Sequence, residues 1–302
     1  MIITIIGKGF VGKATGLLQN EYIKIQYYDQ IPSLCDPINE SLENMVEKSE
    51  IIFICAPTPM NIDGNCNTTI IESIIDKIKN VSKNKIIIMR STIPIGFCDI
   101  HEIFFMPEFL TEKGYLQDFK DNNCWIFGYP LNINEKKLKE FKTKISYVIN
   151  TAYESNILKS KKIKYIKNKE AELVKLVRNS FLSSKVGFFN EIYDLCKSFN
   201  IDYNNVREGI TLDPRIGSSH SYIDIKNRGY GGTCFPKDTN HLYNIFQERK
   251  IISKYLEANI DRNENIDRIE KDWLLGKNRA YSDIKEKINI YIDPSLFFLY
   301  NI

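Results

Sequence analysis

The sequence predicts an α/β protein in which a parallel sheet covered by helices is followed by a helical domain. Two patterns along the chain carry this prediction. Through about the first 130 residues, short apolar runs alternate with amphipathic segments, which is typical of strands and helices that alternate in a parallel sheet. From about residue 168, apolar residues recur at helical spacing for about 30 positions, which indicates a long helix.

The strands are predicted where short apolar runs end at a polar residue, a glycine or a proline. In chain order these runs are residues 2–6, 23–28, 50–59, 85–96, 102–110 and 124–130. Residues 70–81 carry apolar side chains at helical spacing and predict a helix between two of the strands. The long helix is expected to begin at Asn168 or Lys169. The last fifty residues are expected to form one or two helices and a short apolar tail.

The composition is that of an ordinary globular protein, with 26% charged and 43% apolar residues. The formal net charge of +3 gives little reason to expect binding to nucleic acid or to a membrane surface. The seven cysteines form no C-x-x-C pair, so we expect no disulfide framework and no metal site. The three histidines also lack metal-like spacing, and we expect them to be hydrogen-bonded or exposed. Without a predicted signal peptide or membrane span, we expect a soluble, cytoplasmic protein.

A glycine turn follows the first predicted strand. Gly7, Gly9 and Gly12 lie between that strand and a helix, and Asp29 ends the next strand about 20 residues on. In this context the backbone amides of the helix N-terminus bind a pyrophosphate, and the acidic residue binds the ribose hydroxyls. A carboxylate at this point repels a 2′-phosphate. The sequence therefore predicts a Rossmann-type sheet that binds NAD.

A second motif, GYGGTCFPKD at residues 229–238, places a thiol in a glycine-rich turn ahead of a lysine and an aspartate. The residues alone leave two interpretations open, because Cys234 could be a small buried apolar residue or a nucleophile. Lys175 and Asn179 are four residues apart in the predicted long helix, so they share one face and could stabilise an oxyanion. Glycines next to the thiol would allow a substrate to approach it closely.

Seven motifs follow one another along most of residues 1–262. They are GKGFVG (7–12), APTP (56–59), STIPIG (91–96), PEFLTE (107–112), AELVKLVRNSFLSSKVGFFNE (171–191), DPRIG (213–217) and GYGGTCFPKD (229–238). In these motifs and in their order, the chain resembles the UDP-glucose/GDP-mannose dehydrogenase family. The last motif is more similar to the UDP-glucose branch than to the N-acetyl-sugar branches.

The resemblance implies oxidation of a nucleotide sugar's primary alcohol to an acid, with two NAD consumed. Cys234 would attack the intermediate aldehyde and form a thiohemiacetal, which is oxidised to a thioester that water then cleaves. Lys175 and Asn179 would hold the oxyanion, and Asp238 would organise the lysine and the water. Glu108 would be the base for thioester hydrolysis, and Thr92 would help to position the water.

The resemblance also implies binding residues and a partner. The implied cofactor residues are Gly7, Gly9, Phe10, Val11, Gly12, Asp29, Thr58, Thr92, Glu112 and Lys237. The implied substrate residues are Glu108, Phe109, Leu110, Glu112, Lys175, Asn179, Arg215 and Gly231. Arg215 would reach the substrate of a neighbouring subunit, and a homodimer would form through the helix at residues 170–200.

The chain departs from the family pattern in four ways, one of which is that the stretch SSHSYIDIKNR (218–228) is a few residues longer than in typical bacterial members. Met106 replaces the asparagine expected before PEF, and Lys113 replaces the glycine expected after Glu112. The chain after Cys234 is also too short for the second α/β domain that binds UDP in the family. We therefore expect three parts, which are an NAD-binding domain (1–167), a helical central and dimerisation domain (168–275) and a remnant of the truncated UDP-binding domain (276–302).

Three alternatives to UDP-glucose oxidation remain open from the sequence. The chain could be a catalytically silent remnant that binds NAD or acts as a subunit with a partner. It could oxidise another nucleotide sugar, such as GDP-mannose. A dehydrogenase of another sugar or of a hydroxy acid would share only the NAD domain, and the thiol of Cys234 argues against it, because a two-electron oxidation needs no covalent cysteine.

Overall fold

The computed structural model describes residues 1–61 and 65–275. The chain divides into two compact units. The first contains Met1–Thr58 and Thr68–Arg178, and the second contains Pro59–Asn67 and the chain from Asn179 onward. The predicted remnant at residues 276–302 lies outside the described residues.

The first unit contains a seven-stranded sheet with the strand order β2-β1-β3-β4-β5-β6-β7. The strands are β1 (Ile2–Ile6), β2 (Lys24–Tyr28), β3 (Ile51–Ile54), β4 (Ile86–Met89), β5 (Phe104–Phe105), β6 (Trp125–Tyr129) and β7 (Ile163–Lys167). Neighbouring strands are parallel except β5 and β6, which pair antiparallel at Phe105 and Gly128. The predicted α/β class is confirmed, and the antiparallel pair is an addition that apolar runs cannot predict, since they carry no information on strand direction.

Alternate residues of the central strands fill two different cores. Ile51 and Phe53 of β3 belong to one buried cluster, whereas Ile52 and Ile54 belong to the other. This alternation follows from the two-residue period of a strand, so both faces of the sheet are covered. The helices that supply this cover are α1 (Phe10–Thr15), α2 (Leu42–Lys48), α3 (Thr69–Val81), α4 (Phe97–Ile100), α5 (Tyr115–Lys120) and α6 (Glu135–Glu154).

The helices α3 and α6 show how the sequence pattern places its helices. The buried Ile71, Ile75 and Ile78 of α3 join one cluster, and the buried Phe141 and Ile145 of α6 join the other. Each set recurs at three- or four-residue spacing, which makes one apolar face per helix. The predicted helix at residues 70–81 is confirmed.

The long predicted helix is also confirmed, as α7 (Asn168–Ser198). The buried Asn168 fixes its first residue, because its side-chain amide donates hydrogen bonds to Asp99 Oδ1 (3.1 Å) and to the carbonyl of Ile103 (2.9 Å). Glu170 accepts a hydrogen bond from the Lys167 amide at 2.8 Å. The division between the two compact units falls within this helix, after Arg178.

The second unit is helical in the part that the structure describes. Its helices after α7 are α8 (Tyr203–Thr211), α9 (Phe235–Glu248) and α10 (Lys254–Arg262), followed by a π-turn (Asn263–Asp267) and a 3₁₀ turn (Asp272–Leu275). Its one apolar cluster is small, with Phe189, Cys196, Tyr203 and Ile223 buried at the centre. None of the helices in the described ranges is long and apolar enough to cross a membrane.

Candidate active site

The glycine turn connects β1 to α1 at the carboxyl edge of the sheet. The amide of Gly7 donates to the carbonyl of Tyr28 on the adjacent strand at 2.8 Å. Gly7 has a φ of +96°, and a side chain at Gly12 would collide with the Gly7 carbonyl oxygen. Within the described ranges, no atom lies within 4 Å of the position that a side chain of Gly9 would occupy. The turn is therefore tightly packed below and open above Gly9, which fits the backbone approach that a dinucleotide pyrophosphate requires.

Asp29 lies next to this turn, as predicted from its place at the end of β2. Its Oδ2 accepts a hydrogen bond from the Lys8 amide at 2.7 Å, and its Oδ1 accepts one from the Ile31 amide at 3.0 Å. Two backbone amides thus orient the carboxylate beside the glycines. This arrangement fits the two ribose hydroxyls of NAD and leaves a negative charge where NADP would place its phosphate.

The other predicted cofactor residues lie in different surroundings. Phe10 and Val11 are partly buried in the first turn of α1, and Thr58 and Thr92 are buried in the loops after β3 and β4. These loops begin at the same carboxyl edge as the glycine turn, where open α/β sheets bind their ligands. Glu112, in contrast, is exposed.

Glu108 and Lys175 form a buried ion pair in the first unit. The distance between Lys175 Nζ and Glu108 Oε1 is 2.7 Å, and the two side chains are 1% and 8% exposed, respectively. The second carboxylate oxygen of Glu108 accepts a hydrogen bond from the Leu110 amide at 3.0 Å. Two charges can be buried in this way only together, because either one alone would lose its hydration without compensation.

Glu172 fixes the helix turn that precedes Lys175. Its carboxylate accepts hydrogen bonds from the amides of Gly96 (2.5 Å) and Cys98 (3.0 Å) at the start of α4. Burial raises the pKa of Glu172, and these amides oppose the rise. Since α7 is held here, the direction in which Lys175 projects is also set.

Asn179 and Asp238 meet in the second unit. Asn179 Nδ2 donates to Asp238 Oδ2 at 2.6 Å, and both side chains are buried. Ser183 and Thr239, one turn further along α7 and one residue further along α9, share a hydrogen bond of 2.9 Å between their hydroxyl oxygens. Two polar contacts therefore join α7 to the first turn of α9.

Cys234 is the residue immediately before α9, and its carbonyl accepts the Asp238 amide at 2.8 Å. The thiol is partly buried, and the amides at a helix N-terminus favour negative charge on a group placed there. None of the seven cysteines, all of which lie in the described ranges, forms a disulfide. Burial raises the pKa of Cys55 to about 11 and that of Cys98 above its usual range, which makes these two thiols poor nucleophiles.

The remaining predicted residues of the second unit are placed as follows. Lys237 is buried, with Nζ at 3.6 Å from Asp238 Oδ1. Gly231 is partly buried in the turn ahead of Cys234. Arg215 is 87% exposed and forms a bidentate ion pair with Asp213, from Nε to Oδ1 at 3.0 Å and from Nη2 to Oδ2 at 2.5 Å. Arg215 is thus presented at the surface, where the family resemblance requires it to reach a second subunit.

A cleft of about 410 Å³ in the first unit contains Phe109 and Leu110 together with two arginines that the sequence analysis missed. The guanidinium of Arg178 lies 3.8 Å from the centre of the Phe109 ring. Arg90 is buried and donates a hydrogen bond to Thr15 Oγ1. The sequence could have indicated these two arginines only by their position next to predicted site residues. Arg90 directly precedes STIPIG, and Arg178 lies between Lys175 and Asn179.

His241 differs from the expectation that the histidines are hydrogen-bonded or exposed. It is 3% exposed, and neither ring nitrogen has a hydrogen-bond partner within the described part of the chain. It lies on α9 one turn after Asp238. Burial lowers the pKa of His241, although the nearby Asp238 carboxylate acts in the opposite direction.

Replacement of Gly12 by alanine tests the glycine turn. Because the new methyl group would collide with the Gly7 carbonyl, we expect G12A to weaken NAD binding by at least about tenfold, as measured by titration calorimetry. Gly209 in α8 is a matched control, since a methyl group there has no atom within 4 Å. G209A should bind NAD normally, and wild-type affinity in G12A would contradict the assigned turn.

Replacement of His241 by leucine tests the buried imidazole. The unfolded chain takes up a proton on this residue near pH 6.5, whereas the folded chain does so only at lower pH, so stability should fall as the pH drops below about 6.5. In H241L the fall in Tm between pH 7.5 and 5.5 should be smaller than in the wild type. H220Q should reduce this fall less, because His220 is only partly buried. An unchanged pH dependence in H241L would show that the residue does not titrate as expected.

Comparison with known proteins identifies both units. Residues 37–146 match the NAD binding domain of the UDP-glucose/GDP-mannose dehydrogenase family, and residues 169–265 match the central domain of the same family. The solved structure of a UDP-glucose dehydrogenase from the archaeon Pyrobaculum islandicum has a TM-score of 0.72 at 24% identity. The match covers 87% of this chain and 68% of the archaeal chain, and this likeness supports the fold.

Two relatives give the same result by sequence. A UDP-glucose 6-dehydrogenase from Rickettsia prowazekii (strain Madrid E) is 28% identical, over 87% of this chain and 67% of its own length. Another from Rickettsia bellii (strain RML369-C) is 30% identical, over 93% of this chain and 72% of its own length. The chain thus spans about two thirds of the length of such relatives. The resemblance in the motifs is therefore confirmed. The homologues of this chain in the family are NAD-dependent oxidoreductases. The chain carries the family's NAD-binding domain and belongs to the UDP-glucose/GDP-mannose dehydrogenase family.

Proposed function

We propose that this chain oxidises UDP-glucose to UDP-glucuronate with NAD, in a four-electron reaction that passes through a thioester on Cys234. The observation that carries the proposal is the placement of Cys234 at the N-terminus of α9, whose first turn also contains Asp238, the buried hydrogen-bond partner of Asn179. A structural cysteine needs neither this position nor a buried carboxylate four residues later. A nucleophile that is regenerated in each turnover has a use for both.

The first half of the reaction converts the sugar's primary alcohol to an aldehyde. NAD, when bound, accepts one hydride in each of the two oxidations. The Cys234 thiolate adds to the aldehyde carbon, which gives a thiohemiacetal whose oxygen carries the developing negative charge. The ammonium of Lys175 and the side-chain amide of Asn179 are the groups that we assign to this oxygen.

The second half removes the remaining hydride and cleaves the thioester. Loss of hydride from the thiohemiacetal carbon gives the thioester, and water then attacks its carbonyl to release the acid and the Cys234 thiol. The Glu108 carboxylate, held by Lys175, is the proposed base that takes a proton from this water. Thr92 and Asp238 would position the water and the lysine.

The choice of UDP-glucose rests on two supports. The motif at residues 229–238 resembles the UDP-glucose branch, and the relatives described above are named UDP-glucose 6-dehydrogenases. The cleft with Phe109, Leu110 and Arg178 is the proposed place for the sugar end of the substrate, because the family resemblance assigns Phe109 and Leu110 to the substrate. A reducing, cytoplasmic setting belongs to the same proposal, since no disulfide links any of the seven cysteines in the described ranges.

A homodimer through the helix at residues 170–200 is the second part of the proposal. Within α7, Phe181, Phe188 and Leu195 follow one another at seven-residue spacing and are 66%, 53% and 53% exposed. Residues at this spacing lie on one helix face, and a solvent-facing row of large apolar side chains is typical of an interface. A second copy of the chain would bury this row and bring Arg215 to the neighbouring subunit.

The reaction is tested by following NADH at 340 nm with UDP-glucose, GDP-mannose and other nucleotide sugars. We expect about two NADH per UDP-glucose, and a loss of at least about a thousandfold in kcat for C234A. The variants K175A and N179A should lose about a hundredfold or more. C196A is the matched control, because that cysteine lies in the small apolar core.

The outcomes separate the alternatives. Turnover with GDP-mannose alone would contradict the assignment of UDP-glucose as the substrate. Formation of one NADH per sugar would contradict the four-electron reaction through a thioester. NAD binding without turnover of any nucleotide sugar would overturn the activity and favour a silent NAD-binding subunit.

The dimer is tested by size-exclusion chromatography with light scattering. We expect a mass of twice the 35.2 kDa chain for the wild type and a monomer for F188E, because a charge in the centre of the row would be buried without a partner. I38E is the control, since Ile38 is 67% exposed in the first unit. A monomeric wild type, or an F188E dimer, would exclude this interface.

A further inference from the structure

The turn that precedes Cys234 is held by a segment that follows α9 in the chain. Asn263, in the π-turn after α10, contacts Tyr230 with both ends of its side-chain amide. Its Oδ1 accepts the Tyr230 amide at 2.8 Å, and its Nδ2 donates to the Tyr230 carbonyl at 3.0 Å. Asn263 is 1% exposed and Tyr230 is 3% exposed. One side chain thus satisfies both backbone polar groups of a buried residue, as a neighbouring strand would.

Arg228 anchors the beginning of the same turn. Its Nε donates to Asn190 Oδ1 on α7 at 3.1 Å, and its Nη2 donates to Asp267 Oδ1 at 2.7 Å. Asp267, whose side chain is fully buried, also accepts from Arg262 Nη2 at 3.1 Å. The beginning of the turn is therefore held from α7 and from the π-turn by charge-assisted hydrogen bonds, which are the stronger kind.

Arg268 supports the turn at two further points. Its Nη1 donates to the carbonyl of Arg228 at 3.2 Å, and its Nε and Nη2 form a bidentate pair with Asp272 at 2.7 and 2.6 Å. The guanidinium lies directly against Gly231, where a β-carbon would be 2.6 Å from Arg268 Cζ. A side chain at position 231 would displace the Arg268 guanidinium, so the present contact depends on the glycine.

We propose that Asn263 and Arg268 are positioning residues for the Cys234 thiol. Tyr230 and Gly231 precede Cys234 by four and three residues, so the contacts that fix them limit how far the sulfur can move from the N-terminus of α9. A displacement of about 1 Å at a reacting group is enough to lower a rate by about a hundredfold. The segment from α10 to Asp272 thus supports the turn that carries the nucleophile. The inference rests on the proposed function in one respect, which is the role of Cys234 as nucleophile.

The test compares N263A with N265A in the full chain. Asn265 lies in the same π-turn, but its side-chain amide donates to the exposed Asp261 at 2.8 Å, and among the described residues it forms no hydrogen bond with the turn before Cys234. Loss of the Asn263 amide leaves the buried Tyr230 amide and carbonyl without their partner. We expect hydrogen exchange at Tyr230 to accelerate by about tenfold in N263A and to be unchanged in N265A.

A second readout separates positioning from loss of structure. Iodoacetamide alkylation of Cys234 at pH 7.5, resolved by peptide mass spectrometry, should slow by about threefold in N263A, because a displaced sulfur loses the helix N-terminus that favours its thiolate. Simple unfolding would instead expose the thiol and accelerate alkylation. R268K keeps the charge but loses the bidentate fork, and it should shift both readouts in the same direction as N263A.

In turnover with UDP-glucose, N263A should lower kcat by about tenfold while KM changes by less than about threefold. Unchanged exchange at Tyr230, or alkylation of Cys234 that is unchanged or faster, would overturn the inference. A wild-type protein that turns over no nucleotide sugar would overturn the proposed function alone, since the exchange and alkylation experiments would still decide the role of Asn263.

Discussion

A lysine and a glutamate can be buried together only if each compensates the charge of the other, and the pair of Glu108 and Lys175 meets this condition in the first unit. The pair joins the loop after β5 to the first turns of α7. Glu172, one turn earlier, holds the same helix to the start of α4 through two backbone amides. Within the first unit, the direction of the first turns of α7 follows from these buried carboxylates.

In its described part, the second unit is held by buried polar groups as well as by a small apolar cluster. Its apolar cluster is small, whereas Asp238, Asn179, Asn263 and Asp267 are all buried. Hydrogen bonds are directional, and removal of one partner leaves a buried group unsatisfied. A turn held by such contacts has one geometry, which is what a nucleophilic thiol requires and what a purely apolar support would specify less strictly.

The site residues predicted from the sequence fall into groups that differ in how much a local pattern could say about them. For Gly7, Gly12 and Asp29, the sequence predicted both their place in the fold and their proximity to one another. The reason is that a strand, a turn and a second strand at this spacing bring them together. Lys175 and Asn179 were predictable as residues of one helix face. Arg90, Arg178 and Asn263 were missed, because no local spacing connects them to the cleft or to the turn that they contact.

The sequence by itself determined the α/β class, the dinucleotide turn, the long helix and the order of the family motifs, since each of these depends on residues close together in the chain. Tertiary structure alone decided that β5 and β6 run antiparallel, that Lys175 pairs with Glu108, 67 residues away, and that Asn263 holds Tyr230, 33 residues away. It also left His241 buried with no hydrogen-bond partner for its ring among the residues that the structure describes, contrary to expectation. Such contacts depend on where the chain returns after a loop, and periodicity along the sequence does not encode that.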